Sequence, residues 1–91
     1  MTKEQFLEIL ETETEHEKDY KPTKPCDEAL RGLNVMAKYI KGNVIMGADH
    51  DVIYSVEVQV LVDAGITEED VVTIRNSMWW SEDGDYLQHF V

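Results

Sequence analysis

Asp49-His50-Asp51 is the densest group of potential ligands or acid–base side chains in the chain. A carboxylate–imidazole–carboxylate run suits a divalent metal or a proton transfer. The rest of the sequence supports neither. Metal phosphohydrolases built on a His-Asp pair draw further His and Asp residues from a longer helical domain. A calcium loop needs glycine at its sixth position and glutamate at its twelfth. Counted from Asp49, those positions hold Tyr54 and Val60; counted from Asp83 or Asp85, the chain ends first. The expectation is a turn between two strands in which Asp49 or Asp51 bonds local backbone amides. A small metal-binding protein using these three residues is the minor alternative.

The one thiol, Cys26, has Asp27 and Glu28 beside it, and both oppose thiolate formation. His16, His50 and His89 show no spacing that would pair them with it. There is no glycine-rich phosphate loop, CxxC or GxSxG motif. The chain is therefore expected to hold no catalytic residue, no metal and no cofactor. A single cysteine allows no internal disulfide and suits a reducing compartment. No apolar run reaches membrane-spanning length, and Met1-Thr2-Lys3-Glu4-Gln5 lacks the layout of a secretory signal, so a cytoplasmic protein with no membrane partner is expected.

Charge is the outlier. Nineteen acidic residues face eight basic ones in 91 residues, a formal net of −11. Residues 1–28 sum to −5, residues 29–46 to +3 through Arg31, Lys38 and Lys41, and residues 47–91 to −9 with Arg75 as the single base. Such a chain repels nucleic acid and anionic lipid over most of its surface and attracts basic protein surfaces. Solubility alone is the plain alternative explanation. The length supports one domain with a modest core.

Several elements must position these charges. Thr2-Lys3-Glu4-Gln5 reads as a capping box opening a helix. Phe6, Ile9 and Leu10 form its apolar stripe, Glu4, Glu8, Glu11 and Glu15 mark another face, and the helix frays near Glu17. Residues 1–18 are thus an acidic helix and residues 19–25, with two prolines, a linker. In the unit spanning 26–91, Ala29, Leu30, Leu33, Met36, Ala37 and Ile40 mark a helix face, with Gly42 as the closing glycine. Gly32 within that helix implies a close packing contact. Asn43–Met46 and Val52–Tyr54 suggest short strands. Val56–Val62 has strand period, yet Ser55 ahead of it and Ala64-Gly65-Ile66 behind it favour a helix, with Ile66 meeting Leu61 across a left-handed Gly65. Thr67 caps the next helix, from Glu68 to Ser77, with Asp70 at its third position. Met78–Trp80 and Tyr86–Val91 then read as a strand pair in which one of Trp79 and Trp80 faces the core and the other is a candidate contact residue.

The order over residues 25–91 is helix, strand, helix, turn, helix, strand, loop, strand: an α+β, winged helix-turn-helix-like domain with an extra N-terminal acidic helix. A DNA reader of this type presents Arg, Lys, Asn or Gln from its recognition helix. Here that helix opens with Glu68-Glu69-Asp70 and offers Arg75 and Asn76, while the wing carries Glu82, Asp83 and Asp85. Repulsion falls on both elements that would touch DNA, so the expected partner is a basic protein surface and not nucleic acid directly. Nineteen carboxylates are comparable in number with the roughly 18 phosphates on a DNA length of about 30 Å, which makes DNA mimicry a coherent version of that use. The candidate contact residues are Glu68, Glu69, Asp70, Glu82, Asp83 and Asp85, together with Glu4, Glu8, Glu11 and Glu15. A homodimer is left open. The alternative is a winged-helix transcriptional regulator reaching DNA through Arg31, Lys38 and Lys41.

Gly47-Ala48-Asp49-His50-Asp51-Val52-Ile53-Tyr54-Ser55, followed by Asp63-Ala64-Gly65-Ile66-Thr67-Glu68-Glu69-Asp70 and the Trp-rich closing strand, resembles small accessory proteins encoded by bacteriophages and prophages. That population includes anti-CRISPR and other anti-defence inhibitors. The resemblance covers about residues 29–91 and carries no catalytic motif. It implies a phage-encoded protein acting on a host complex, identifies no target and transfers no functional residue. Joined to the charge reading, it makes the expected role an inhibitor of a host nucleic-acid-binding complex in the host cytoplasm.

Overall fold

The computed structural model describes residues 1–12 and 27–90. The linker expected at 19–25, the end of the first helix beyond Thr12, and Glu15, His16 and Cys26 lie outside the described residues. Over the described residues the chain is a small α+β domain of four helices and a three-stranded antiparallel sheet in the order β1-β2-β3.

Helix α1 (Lys3–Glu11) opens on the expected capping box: the Gln5 amide donates to Thr2 Oγ1 at 3.1 Å and the Thr2 amide to Gln5 Oε1 at 2.8 Å. The helix is not an appendage, because Phe6 is fully buried in the same core as the later elements. Its contacts are with α3 (Val58–Asp63) and α4 (Glu68–Asn76).

In α2 (Asp27–Ala37) the buried positions are Ala29, Gly32, Leu33, Val35 and Met36, whereas Leu30 is half exposed and Ala37 exposed. The stripe is rotated from the expected one, and Trp79 is the cause. A Cβ on Gly32 would lie 2.2 Å from Trp79 Nε1, and that nitrogen donates to the Ala29 carbonyl at 3.3 Å. The indole lies flush on the helix backbone, so the side carrying residues 29, 32, 33 and 36 must face inward. The helix also ends at Ala37 rather than at Gly42, and the turn after it delivers Lys38 and Tyr39 to Asp70.

The first strand lies later than expected. β1 (Gly47–Asp49) pairs with β2 (Val52–Glu57) around a turn at His50-Asp51, where His50 has φ 51°. β1 is exposed at all three positions, so no apolar alternation marks it in the sequence. The valine run from 56 to 62 proves to be both things its pattern suggested. β2 runs to Glu57, a register irregularity follows Tyr54, and α3 begins at Val58, whose amide donates to the Asp85 carbonyl at 2.7 Å. β2 buries Ser55 and Val56 in succession and exposes Glu57, and helical phase buries Val58 and Leu61 after it.

α3 closes as expected. Gly65 sits at φ 86°, its amide bonds the Val62 carbonyl at 3.0 Å, and the Ile66 amide bonds the Leu61 carbonyl at 3.1 Å. α4 is capped by Thr67 Oγ1, which accepts from the Asp70 amide at 3.2 Å. The same closing pattern recurs after α4, with a methionine in the left-handed place. Met78 has φ 63°, its amide bonds the Arg75 carbonyl at 3.0 Å, and the Trp79 amide bonds the Ile74 carbonyl at 3.3 Å. Instead of a second full strand, residues 78–80 contribute one bridge, Trp80 to Gln88 of β3 (Tyr86–Phe90). Trp79 is buried, and Trp80 is partly exposed and stacks on Phe90 with ring centroids 4.5 Å apart.

Two substitutions test this packing by urea unfolding. Gly32→Ala should lose about 1–3 kcal/mol by overpacking against the indole, despite alanine's helix preference of about 1 kcal/mol; unchanged stability would mean that the indole is not seated there. Met78→Gly should gain about 1 kcal/mol by removing the left-handed strain.

Candidate functional site

The acids named from sequence divide into two kinds. Glu4, Glu8 and Glu11 are exposed along α1, and Glu82 is exposed at the start of the loop before β3. Asp83 and Asp85 of that loop have internal work. Asp83 Oδ1 accepts from the Asp85 amide at 2.8 Å and the Tyr86 amide at 3.1 Å, which holds its carboxyl below the ordinary value. Asp85 accepts from Lys3 Nζ at 2.6 Å, and this hydrogen bond raises the Lys3 ammonium pKa. The contact joins the start of α1 to the loop. A Cβ on Gly84 would stand 3.6 Å from Leu7 Cδ1, so the two elements also touch through apolar atoms. The structure thus brings together the α1 and loop groups of acids.

The third group is fastened elsewhere. Glu68 and Glu69 are exposed at the start of α4. Asp70 is largely buried, accepting from Lys38 Nζ at 2.9 Å and from the Tyr39 hydroxyl. Burial alone would push its carboxyl up, but the bonds from Tyr39, Lys38 and Thr67 and the Lys38 charge bring it below its ordinary value. The same bond raises Lys38. Asp70 is therefore a tie between α4 and the end of α2 rather than a free contact.

Of the residues that would reach DNA, Arg75, Asn76 and Lys38 are occupied, while Lys41 is exposed. Of α4, Glu68 and Glu69 alone are exposed; Arg75 and Asn76 are each 8% exposed. Arg75 Nε and Nη2 donate to Asn76 Oδ1, both at 3.2 Å, and Nη1 donates to Thr12 Oγ1 at the end of α1. A recognition helix must lay side chains into a groove, and α1 lies against this one. Lys38, the middle of the three bases in the basic segment, is spent on Asp70.

Among the described residues no three His, Cys, Asp or Glu side chains group to hold an ion. At Asp49-His50-Asp51, His50 Nε2 lies 3.6 Å from Asp49 Oδ1 and the three side chains project from the β1–β2 turn. No described helix is long and apolar enough to cross a membrane.

Sequence reasoning missed two apolar depressions. One, of about 450 Å³, is lined by Leu10, Arg75, Met78, Trp80, His89 and Phe90, with Phe90 65% exposed. The other lies around Met46 and Tyr86. The expectation that one tryptophan would face outward was the one signal pointing to the first. Comparison with family models, with curated proteins and with solved structures finds no match.

The Asp70 tie has a definite pH signature. Its folded carboxyl is depressed, so the stability it contributes is present above the unfolded value near 3.9 and is lost as pH falls through the folded value. Asp70→Asn should cost about 1–2 kcal/mol at neutral pH, measured by denaturant unfolding. The gap to the parent should close as pH drops below the carboxylate range.

Proposed function

We propose that this is a non-enzymatic binding protein that sets an acidic face, built from α1 and the loop before β3, against a basic surface of another macromolecule. One observation carries the reading: exposed glutamates line α1 and the loop before β3, and the one base within those two elements, Lys3, is ion-paired with Asp85. Lys3 and Lys38 are ion-paired and Arg75 is buried, whereas Glu4, Glu8, Glu11 and Glu82 stand exposed. Long-range attraction of a basic partner follows from such a one-signed surface. The partner class is a host nucleic-acid-binding complex, with the acidic face standing in for a stretch of DNA backbone. The element order over residues 27–90, with the Trp80–Gln88 bridge as the short second wing strand, supports a winged-helix-like shape reused for protein binding. Use of that shape as a DNA-reading regulator fits less well, because α1 lies against α4.

The test is capture from bacterial host extract on the immobilised full chain, compared with a Glu4→Gln, Glu8→Gln, Glu11→Gln variant. Captured proteins should be nucleic-acid binders, displaced by duplex DNA and released at about 1 M salt, where the Debye length is about 3 Å. The triple variant should bind roughly tenfold more weakly, a difference of about 1.4 kcal/mol. Capture indifferent to salt, to DNA and to the triple variant would exclude the acidic face.

A further inference from the structure

We infer that the apolar surface around Met46 and Tyr86 is a docking site for a basic peptide segment of a partner protein, and that this segment carries a large apolar anchor. The inference rests on the acidic-binder reading and adds a recognition element to it. Met46 is 54% exposed, Val60 44% and Tyr86 39%. They are not scattered. Two adjoining grooves, of about 190 and 320 Å³, share Met46 and Tyr86; the first takes in Ile40, Glu57 and Val60, and the second Tyr54. Contiguous apolar surface of this kind marks an interaction site more often than isolated exposed residues do.

Charge decides the occupant. Glu57 lines the first groove opposite Tyr86 in the β2–β3 register, and its carboxylate, with Asp83 and Asp85 adding to it, raises the pKa of the Tyr86 hydroxyl. Lys3, a base that the Glu57 charge reaches, is already paired with Asp85. A second copy of this chain would bring the same carboxylates and a net charge of −11 against them, a like-charge juxtaposition that opposes pairing. Nucleic acid is repelled for the same reason. A segment with an apolar side chain between arginines or lysines satisfies both features. Its anchor fills the space beside Val60 and Met46, while a guanidinium reaches Glu57 and stacks on Tyr86 or Tyr54.

The experiment titrates the ¹⁵N-labelled full chain with three short, end-blocked synthetic peptides. One is rich in arginine and lysine with a central phenylalanine. One has the same charge with serine in place of phenylalanine, and one keeps the phenylalanine among glutamates. The first should shift the amides of Met46, Glu57, Val60 and Tyr86 and bind roughly tenfold more tightly than either control. Val60→Ser, and independently Met46→Ser, should remove that advantage while leaving the unfolding midpoint unchanged, since both side chains are half exposed. Equal binding of the two basic peptides, with shifts along Glu4, Glu8 and Glu11, would overturn the groove and leave the acidic face standing. Silence toward all three peptides would overturn the groove, while salt-sensitive capture from host extract would still hold the acidic face apart from it. Shifts of these amides on dilution alone would assign the surface to a second copy and also overturn the proposal.

Discussion

Much of the arrangement hangs on the Trp79 indole lying against bare backbone at Gly32. The ring is almost fully buried, and its nitrogen has a partner in the Ala29 carbonyl, so the polar atom is buried without penalty. His89 packs at 5.2 Å between ring centroids, and its Nδ1 meets the Met78 carbonyl at 3.1 Å. One side chain therefore sets the rotation of α2, the path out of α4 and the seating of β3. To place it, the chain reverses sharply at Met78 and accepts a left-handed methionine. A glycine there would bend as easily, but Met78 also lines the depression beside Trp80 and Phe90.

Charge works at two scales in this domain. Locally, single pairs act as fasteners: Lys3 with Asp85 at one end of the molecule, Lys38 with Asp70 between α2 and α4. The more exposed Lys3–Asp85 pair contributes little energy, yet both pairs determine which acids remain free to face a partner. Each pair takes one acid and one base together, so the net of −11 is left on the remaining charges.

Local signals were the legible part of the sequence. The Thr2 capping box, the Thr67 cap, the glycine-closed end of α3 and the inward turn of one tryptophan all depend on residues within a few positions of one another, and each is present. The illegible parts depend on distant residues. The rotation of α2 is set by Trp79, more than half the chain away from Ala29. Asp70, Asp83 and Asp85 look like Glu68, Glu69 and Glu82 until Lys38, Lys3 and backbone amides reach them. β1 was hidden because an edge strand exposed throughout has no buried face to pattern it. The valine run concealed a change of period at Glu57, and with it the outward valine at position 60.

The pairing of β2 with β3 carries a kinetic consequence. Val52 stands opposite Phe90 and Ile53 opposite His89, so two helices and their turn lie between paired residues. A hairpin such as β1–β2 zips from its turn, but this ladder closes only after a long loop has lost its freedom. The Asp85 carbonyl that receives the first amide of α3 sits just before β3, so the helix start and the strand mature together. Assembly of the sheet and docking of α3 and α4 are thus one cooperative event, and β2 keeps an unpaired edge until it occurs.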